Sequence, residues 1–239
     1  NYRELRARLE RRGRVFRSNS DTEVLLRLYE EEGEGMLGEL RGMFAFVIWD
    51  ADRNALLAAR DPYGIKPLYY ADDGKGVRIA SQVKALLAGR RASIDPAGVA
   101  GFFLLGSVPE PFTIYESIRE VPAGSFIWFG EEEPSTPRPY FSVARRLRQA
   151  VLQTDGGWIA RDREELIREA LVDTVTHHFV SDVPVGIFLS SGIDSGSLVG
   201  LARDAGIEML QTVTLSFEAF RGTREDEALG AEEVANRYG

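Results

Sequence analysis

The sequence contains no cysteine and only two histidines. The absence of cysteine excludes a disulfide framework, a thiolate metal site and a cysteine nucleophile within these 239 residues. No apolar run approaches the roughly 20 residues that span a bilayer, and no charged and then apolar leader opens the chain, so we expect a cytoplasmic protein without a membrane segment. Basic residues number 29 against 37 acidic ones, and the net charge of -8 argues against a nucleic-acid-binding surface.

Apolar residues, in contrast, are plentiful enough for packed cores. They make up 44% of the chain, and its 239 residues suffice for one large domain or two modest ones. The chain starts with Asn1 rather than methionine and stops at Gly239, directly after a predicted helix. We therefore expect an internal fragment of a longer protein.

The first half of the chain has the pattern of a helix followed by antiparallel strands. Ser20 and Glu23 have the spacing of a capping box at the start of a helix that Gly33 ends. The runs 43–49 and 55–60 predict a buried hairpin, and the runs 67–70 and 77–81 predict a second antiparallel pair. We expect one domain over residues 1–130.

A segment without regular periodicity separates the two halves. We predict a linker over residues 131–160, marked by the acidic run 131–133 and the prolines that follow it. Beyond the linker, a helix around 166–175 precedes strand 185–189, helix 196–203, strand 210–217 and helix 225–238. This β-α-β-α order predicts a parallel sheet, with ligands at the carboxyl ends of its strands, in a domain over residues 161–239.

The most informative motif follows the apolar run 185–189. It reads Ser190-Ser191-Gly192-Ile193-Asp194-Ser195 and enters a helix. Backbone N–H groups and hydroxyls at a helix N-terminus form a cradle for pyrophosphate. No lysine follows the glycine, so the motif differs from a Walker phosphate loop. The simpler alternative is a serine-rich helix cap with Asp194 in the first turn.

This loop resembles the Ser-Gly-Gly-x-Asp-Ser loop of ATP pyrophosphatases, which cleave ATP between its α and β phosphates to adenylate a carboxylate or carbonyl oxygen. The resemblance implies ATP and Mg²⁺ as cofactors, with Asp194 helping to bind Mg²⁺ through the pyrophosphate. It places Leu189 and Leu215 beside the adenosine, although plain strand core is the alternative for both. Ser191 replaces the usual glycine and is tolerated where its φ is negative. The residues assigned to the ATP site are Leu189, Ser190, Ser191, Gly192, Asp194, Ser195 and Leu215.

A second resemblance lies in the first half of the chain. Its segments are Ser20-Asp21-Thr22-Glu23, Gly42-Met43-Phe44-Ala45-Phe46 and Arg60-Asp61-Pro62-Tyr63-Gly64-Ile65-Lys66-Pro67-Leu68-Tyr69-Tyr70. They resemble the glutaminase domain of type 2 glutamine amidotransferases. Without a family, the third segment is a turn between buried strands in which Arg60 and Asp61 form an ion pair. Followed by the loop at 190–195, this order resembles the glutamine-hydrolysing asparagine synthetase family over nearly the whole chain.

That resemblance implies a fold of two parts. The first is an Ntn-hydrolase-like αββα glutaminase domain, truncated at its N-terminus, and the second is the start of a Rossmann-like parallel α/β ATP-pyrophosphatase domain. The implied reaction is synthesis of asparagine from aspartate through β-aspartyl-AMP, with release of AMP and pyrophosphate. The substrates would be glutamine, aspartate and ATP, and homodimers are common in the family.

The resemblance also implies how glutamine is used. The family's nucleophile is an N-terminal cysteine, which we expect upstream of this fragment, so the chain alone should not hydrolyse glutamine. Asp21 is the one glutamine-binding residue that carries over, as the acceptor for the α-ammonium group. The alternative is that Asp21 only complements the helix dipole.

Other polar groups receive simpler interpretations. Asp226 and Glu227 resemble an acidic pair of the family but are expected to form a solvated first turn of a helix. His177 and His178 are expected to be structural, because adjacent helical residues do not face the same ligand. Two rival functions remain: a related amidotransferase or β-lactam-synthetase-type ligase that acts on another carboxylate, and a non-catalytic relative that keeps the fold.

Overall fold

The computed structural model describes residues 1–130, 136–153, 163–223 and 225–239. The chain divides into two compact units, Asn1–Thr154 and Asp155–Gly239. In the described part of the chain, no helix has the length and apolar character needed to cross a membrane. The acidic run 131–133 of the predicted linker lies outside the described residues.

The first unit begins with two helices, α1 (Tyr2–Arg11) and α2 (Asp21–Glu32). Ser20 caps α2, because its hydroxyl accepts a hydrogen bond from the Thr22 amide at 3.1 Å. Gly33 ends α2 with a φ of 58° and begins the short 3-10 helix Gly33–Gly38. The predicted helix is confirmed, but the reciprocal capping box is wrong. The Glu23 carboxylate accepts from the amides of residues 17 and 18 instead of the Ser20 amide, because the preceding chain folds back over it.

Two antiparallel sheets form the middle of the first unit, with strand orders β1-β2-β6-β7 and β4-β3-β5. The strands are β1 (Ala45–Asp50), β2 (Ala55–Arg60), β3 (Tyr69–Asp72), β4 (Val77–Ala80), β5 (Arg119–Glu120), β6 (Ser125–Gly130) and β7 (Arg138–Pro139). The predicted hairpin is the β1–β2 pair, and the second predicted pair is β3–β4. Both are confirmed.

The layers of the first unit follow from which faces are apolar. Helices α1 and α2 pack Leu9 and Leu28 against one face of the first sheet, where Trp128 is buried. The opposite face of that sheet, through Ile127, packs on the second sheet. Helix α3 (Val83–Leu87) covers the outer face of the second sheet with Leu86. The order is therefore helix, sheet, sheet, helix.

Two further helices complete the first unit. Helix α4 (Pro96–Leu105) is capped by Asp95, whose carboxylate accepts from the Ala97 amide at 2.9 Å, and it ends at Gly106 with φ 75°. Helix α5 (Val143–Gln153) and strand β7 lie inside the segment that the sequence predicts as a linker. Strand β7 pairs with β6, so this segment continues the first sheet before α5 begins.

The second unit has the β-α-β-α order predicted from the sequence. Its elements are α6 (Arg163–His178), β8 (Gly186–Phe188), α7 (Ile193–Asp204), β9 (Gln211–Val213), the 3-10 helix Glu218–Phe220 and α8 (Ala228–Tyr238). Strands β8 and β9 pair in parallel, with Ile187 opposite Thr212. Both strands are shorter than predicted. Leu189, Val199 and Ala231 form a small core between the strands and helices α7 and α8.

Candidate functional site

The candidate phosphate loop leaves the sheet where the two parallel strands end. The Leu189 amide donates to the Val213 carbonyl at 2.9 Å, and the Thr214 hydroxyl donates to the Leu189 carbonyl at 2.8 Å. Leu189 is buried, with 3% of its surface exposed, whereas Leu215 is 71% exposed. Both leucines follow the last residue of their strand, but Leu189 is part of the core of the second unit and Leu215 is not. The loop begins at a fixed point beside an exposed leucine.

The first serine and the last serine of the loop close it through hydrogen bonds. The Ser190 amide donates to Ser195 Oγ at 3.1 Å, and the two hydroxyl oxygens are 2.9 Å apart. The Gly192 amide donates to Ser190 Oγ at 3.1 Å. These contacts tie the end of the strand to the first turn of α7. The loop is therefore shaped before any ligand binds, which reduces the ordering that binding requires.

Donor groups and one carboxylate stand open at the mouth of this loop. The amides of Ser191, Ile193 and Asp194 donate to no acceptor within the described ranges, as expected for the first turn of a helix. The Asp194 side chain is exposed and makes no hydrogen bond or ion pair to described residues. Open amides at a helix N-terminus favour a phosphate, and a free carboxylate favours a hard cation beside it.

Ser191 occupies its place in the loop without left-handed backbone strain. Of the described residues other than glycine, Asn54 alone has a positive φ. Ser191 is exposed, so its hydroxyl faces solvent next to the open amides. The condition stated above for a serine at this position, a negative φ, is met.

Asp226 accepts hydrogen bonds from the backbone on both sides of it, just before α8. Asp226 Oδ2 accepts from the Gly222 amide at 3.1 Å, and its Oδ1 accepts from the Ala228 amide at 3.2 Å. Asp226 therefore holds the turn before α8 together, in agreement with a structural interpretation. His177 and His178 each bond through Nδ1 to the carbonyl four residues earlier, both at 2.8 Å. Both Nδ1 atoms therefore form hydrogen bonds within α6.

Asp21 opens α2 in the first unit. It is exposed, and its Oδ1 accepts a hydrogen bond from the Thr22 amide at 2.7 Å. One carboxylate oxygen therefore supports the helix N-terminus, and its partner oxygen stays available to a ligand cation. Both interpretations offered for Asp21 fit this geometry.

Glu23 fixes the segment in front of Asp21. Its carboxylate accepts from the Ser18 hydroxyl at 2.6 Å, from the Ser18 amide at 2.7 Å and from the Arg17 amide at 2.9 Å. Hydrogen bonding by the Ser18 hydroxyl, followed by the Arg17 amide, lowers the pKa of Glu23 to about 2. The sequence predicts Glu23 as part of a capping box. In the structure it instead holds residues 17 and 18, which precede Asp21, the candidate glutamine-binding residue.

Arg60 and Asp61 do not form the ion pair that the isolated turn suggests. Arg60 is 4% exposed and bridges Glu110 and Glu120, each at 2.8 Å. Asp61 is fully buried and accepts from the amides of residues 63, 65 and 66. Burial raises the pKa of Glu120, and the Arg60 charge opposes that rise. Asp61 thus stabilises the turn that follows it, and the two carboxylates paired with Arg60 come from distant segments of the chain.

Residues 1–141 match the family whose description is glutamine amidotransferase domain. The chain belongs to that family. Residues 166–239 match a second family, described as asparagine synthase. The first match contains Asp21, Glu23 and Arg60, and the second contains the loop at 190–195 together with α8.

Curated relatives of this chain carry two kinds of name. Asparagine synthetase [glutamine-hydrolyzing] 1 of Bacillus subtilis is 38% identical over 91% of this chain and 33% of its own length. Asparagine synthetase B of Escherichia coli is 34% identical over 94% of this chain and 36% of its own length. Amidase chry2 of Gibberella zeae is 33% identical over 78% of this chain and 27% of its own length. The chain spans about a third of these relatives, and its resemblance to glutamine-hydrolysing asparagine synthetases is confirmed.

The structure brings most of the predicted ATP residues together and adds one residue to them. Ser190, Gly192 and Ser195 form one hydrogen-bonded loop with Leu189 at its base. Thr214 was not predicted, although a hydroxyl directly after a parallel strand is a recognisable signal for a group at the carboxyl edge of the sheet. Leu215 follows it and shares no contact with the loop hydroxyls in this network.

Proposed function

We propose that this chain supplies parts of two active sites in a glutamine-dependent asparagine synthetase. In this proposal the first unit is an Ntn-hydrolase-like glutaminase domain, and the second begins a Rossmann-like ATP-pyrophosphatase domain. The observation that carries the proposal is the order of the two family matches on one chain, with the second match containing the loop of open amides. The layered first unit and the parallel β8–β9 pair support it.

The second unit would bind ATP at the loop. The amides of Ser191, Ile193 and Asp194 would donate to the β and γ phosphates, because they lack other acceptors among the described residues. The hydroxyls of Ser190 and Ser195 hold those amides in place. Donors fixed in advance stabilise the negative charge that builds on the departing pyrophosphate, without the cost of reorganising at the moment of reaction.

The residues at the loop mouth fit Mg²⁺. Asp194 offers a carboxylate that no described cation neutralises, and carboxylate oxygen is the ligand type that this ion prefers. When bound, the ion would supply positive charge against the phosphate oxygens. Asp194 would hold it next to the open amides of the first turn of α7.

The proposed chemistry joins aspartate and ATP. An oxygen of the aspartate β-carboxylate attacks the α phosphorus, the bond to the bridging oxygen breaks, and pyrophosphate leaves with that electron pair. Ammonia then attacks the acyl carbon of β-aspartyl-AMP, and AMP departs to leave asparagine. Glutamine would provide the ammonia in the first unit, where Asp21 accepts from its α-ammonium group. Because these 239 residues hold no cysteine, we propose that they do not hydrolyse glutamine by themselves.

A second candidate function is a ligase of the same architecture that adenylates another carboxylate. The observation that favours it is the 33% identity to a relative named amidase chry2 rather than asparagine synthetase. A β-lactam-synthetase-type enzyme belongs to this group. A non-catalytic relative is the third possibility, and it would lack ATP affinity.

The test uses the full-length protein with ATP, Mg²⁺ and glutamine. Pyrophosphate and asparagine are measured with aspartate and with a panel of other carboxylates, in the wild type and in Asp194→Asn. A matched control is Asp204→Asn, an acid of the same helix whose partner is Arg168 at 2.7 Å. Equal amounts of pyrophosphate and asparagine, lost in Asp194→Asn and kept in Asp204→Asn, support the proposal. Pyrophosphate with another acid alone indicates the second function, and none with any acid indicates the non-catalytic relative.

A further inference from the structure

Helix α8 approaches the candidate phosphate loop at Gly230. A Cβ atom at Gly230 would stand 2.7 Å from the Cβ of Ser191 and 3.6 Å from its Cα. Two carbon atoms cannot approach to 2.7 Å without displacement, whereas 3.6 Å is ordinary van der Waals contact. There is room for one side-chain carbon between the loop and the helix, and Ser191 occupies it.

The rest of α8 cannot easily move aside. Gly200 of α7 faces the Tyr238 ring, whose hydroxyl oxygen would be 3.2 Å from a Cβ at Gly200. Gly196, one turn earlier, faces Val234, whose methyl groups would be 3.9 Å from a Cβ there. Asp226 fixes the turn before α8 through two backbone amides. Helices α7 and α8 therefore pack together along their length. A group added at Gly230 would displace the loop rather than the helix.

The loop at this point carries donors that the proposed function uses. The Ser191 amide makes no hydrogen bond to a described acceptor, and it lies between Ser190 and Gly192, which are both tied into the loop. Displacing the Cβ of Ser191 moves this amide, because they share one Cα atom. Contact with Gly230 therefore sets where the amide points.

We propose that Gly230 is a positioning residue for the phosphate loop, and that it holds the Ser191 amide in place for the triphosphate of ATP by leaving the space that the Ser191 side chain fills. This inference rests on the proposed function in naming ATP as the ligand. Gly230 does not touch the ligand. It acts through Ser191, and the two positions must be coupled.

A double-mutant cycle in the full-length protein tests the coupling. The variants are Gly230→Ala, Ser191→Gly and the two together, and Gly196→Ala is the matched control for stability. Readouts are the thermal unfolding midpoint without ATP, and the equilibrium affinity for ATP with Mg²⁺ well below that midpoint. A glycine within a helix normally gains stability on replacement by alanine where the added methyl group has room, so a loss at Gly230 is itself informative.

We expect Gly230→Ala to lower the unfolding midpoint and to weaken ATP binding by on the order of tenfold, the range of coupling between touching residues. The double variant should recover both properties, because the nearest remaining atom, the residue-191 Cα, is at 3.6 Å. Gly196→Ala should not lower the midpoint. If Gly230→Ala fails to fold, recovery of folding in the double variant supports the proposal.

The inference is overturned if ATP affinity and stability are unchanged in Gly230→Ala, or if the double variant is as impaired as the single one. Restored stability with ATP affinity still lost would also overturn it, because the contact would then be only structural. A wild type without ATP affinity overturns the proposed function instead. In that case the unfolding midpoints still decide whether Gly230 sets the loop through Ser191.

Discussion

The hydroxyl oxygens of Ser190 and Ser195 lie 2.9 Å apart, and Ser195 Oγ also accepts from the Ser190 amide at 3.1 Å. One side chain from the first turn of α7 thus accepts a hydrogen bond from the backbone of the first loop residue. The same oxygen is 3.2 Å from the carbonyl of Gly192. Ser195 therefore joins the two ends of the loop.

We predict that Ser195→Ala weakens ATP binding about tenfold, since one lost hydrogen bond is worth about 1 kcal/mol and an unpaired amide adds to this. The control is Ser197→Ala, because Ser197 is an exposed serine of the same helix. Equilibrium binding of ATP to the full-length protein measures both. Equal affinities in the two variants would contradict the assigned role of Ser195.

We predict that Asp21→Asn raises the KM for glutamine by about ten- to a hundredfold, because a charged hydrogen bond contributes about 1.5–3 kcal/mol. Asparagine still accepts from the Thr22 amide, so α2 keeps its support. Synthesis driven by ammonia should be unchanged. The control is Glu30→Gln on the same helix, whose partner is Arg27. An unaltered KM for glutamine would contradict the binding role and show that Asp21 only complements the dipole of α2.

We predict that Arg60→Ala destabilises the protein by about 3–5 kcal/mol, because it leaves buried Glu120 without its cation. Arg90→Ala is the control, since the Arg90–Asp73 pair is about half exposed on both sides and should contribute about 1 kcal/mol or less. Urea denaturation measures both. A similar cost for the two variants would contradict the prediction, because it would show that buried Glu120 does not depend on the Arg60 charge.

We predict that Glu23 contributes stability that depends on pH. Its pKa is about 2 in the folded chain, below its ordinary value of about 4.3, so the folded state favours the ionised form. The contribution is complete above about pH 5 and is lost as the pH falls toward 2. An NMR titration of the side-chain carboxyl checks the value, and Ser18→Ala should raise it. Ser20→Ala removes the cap of α2 but no contact of Glu23, so the titration should persist.

The elements predicted correctly are those whose signals are local. Ser20 and Gly33 delimit α2 because a cap and a left-handed glycine act within one turn. The apolar runs of the hairpin and the apolar run before the loop are equally local. Helix α4 was not predicted, although Asp95, Pro96 and Gly106 are start and stop signals, because its apolar residues have no helical period.

The candidate site shows the limit of such signals. The hydroxyls, the glycine and Asp194 of the loop are adjacent in sequence, so their grouping was predictable. The partners of Arg60 and the approach of Gly230 to Ser191 join segments that are far apart along the chain. Those contacts depend on how layers pack. A single sequence contains no spacing that specifies them.

Tyr140 has a practical consequence for cutting the chain. Its hydroxyl donates to the Arg60 carbonyl at 2.7 Å, and its amide donates to the Gly124 carbonyl at 2.9 Å. Burial raises the pKa of Tyr140, in keeping with a phenol held inside the first unit. A recombinant fragment that stops at residue 130 would lack β7 and both hydrogen bonds of Tyr140. Expression of the amidotransferase portion by itself should therefore extend past residue 141, where the family match also ends.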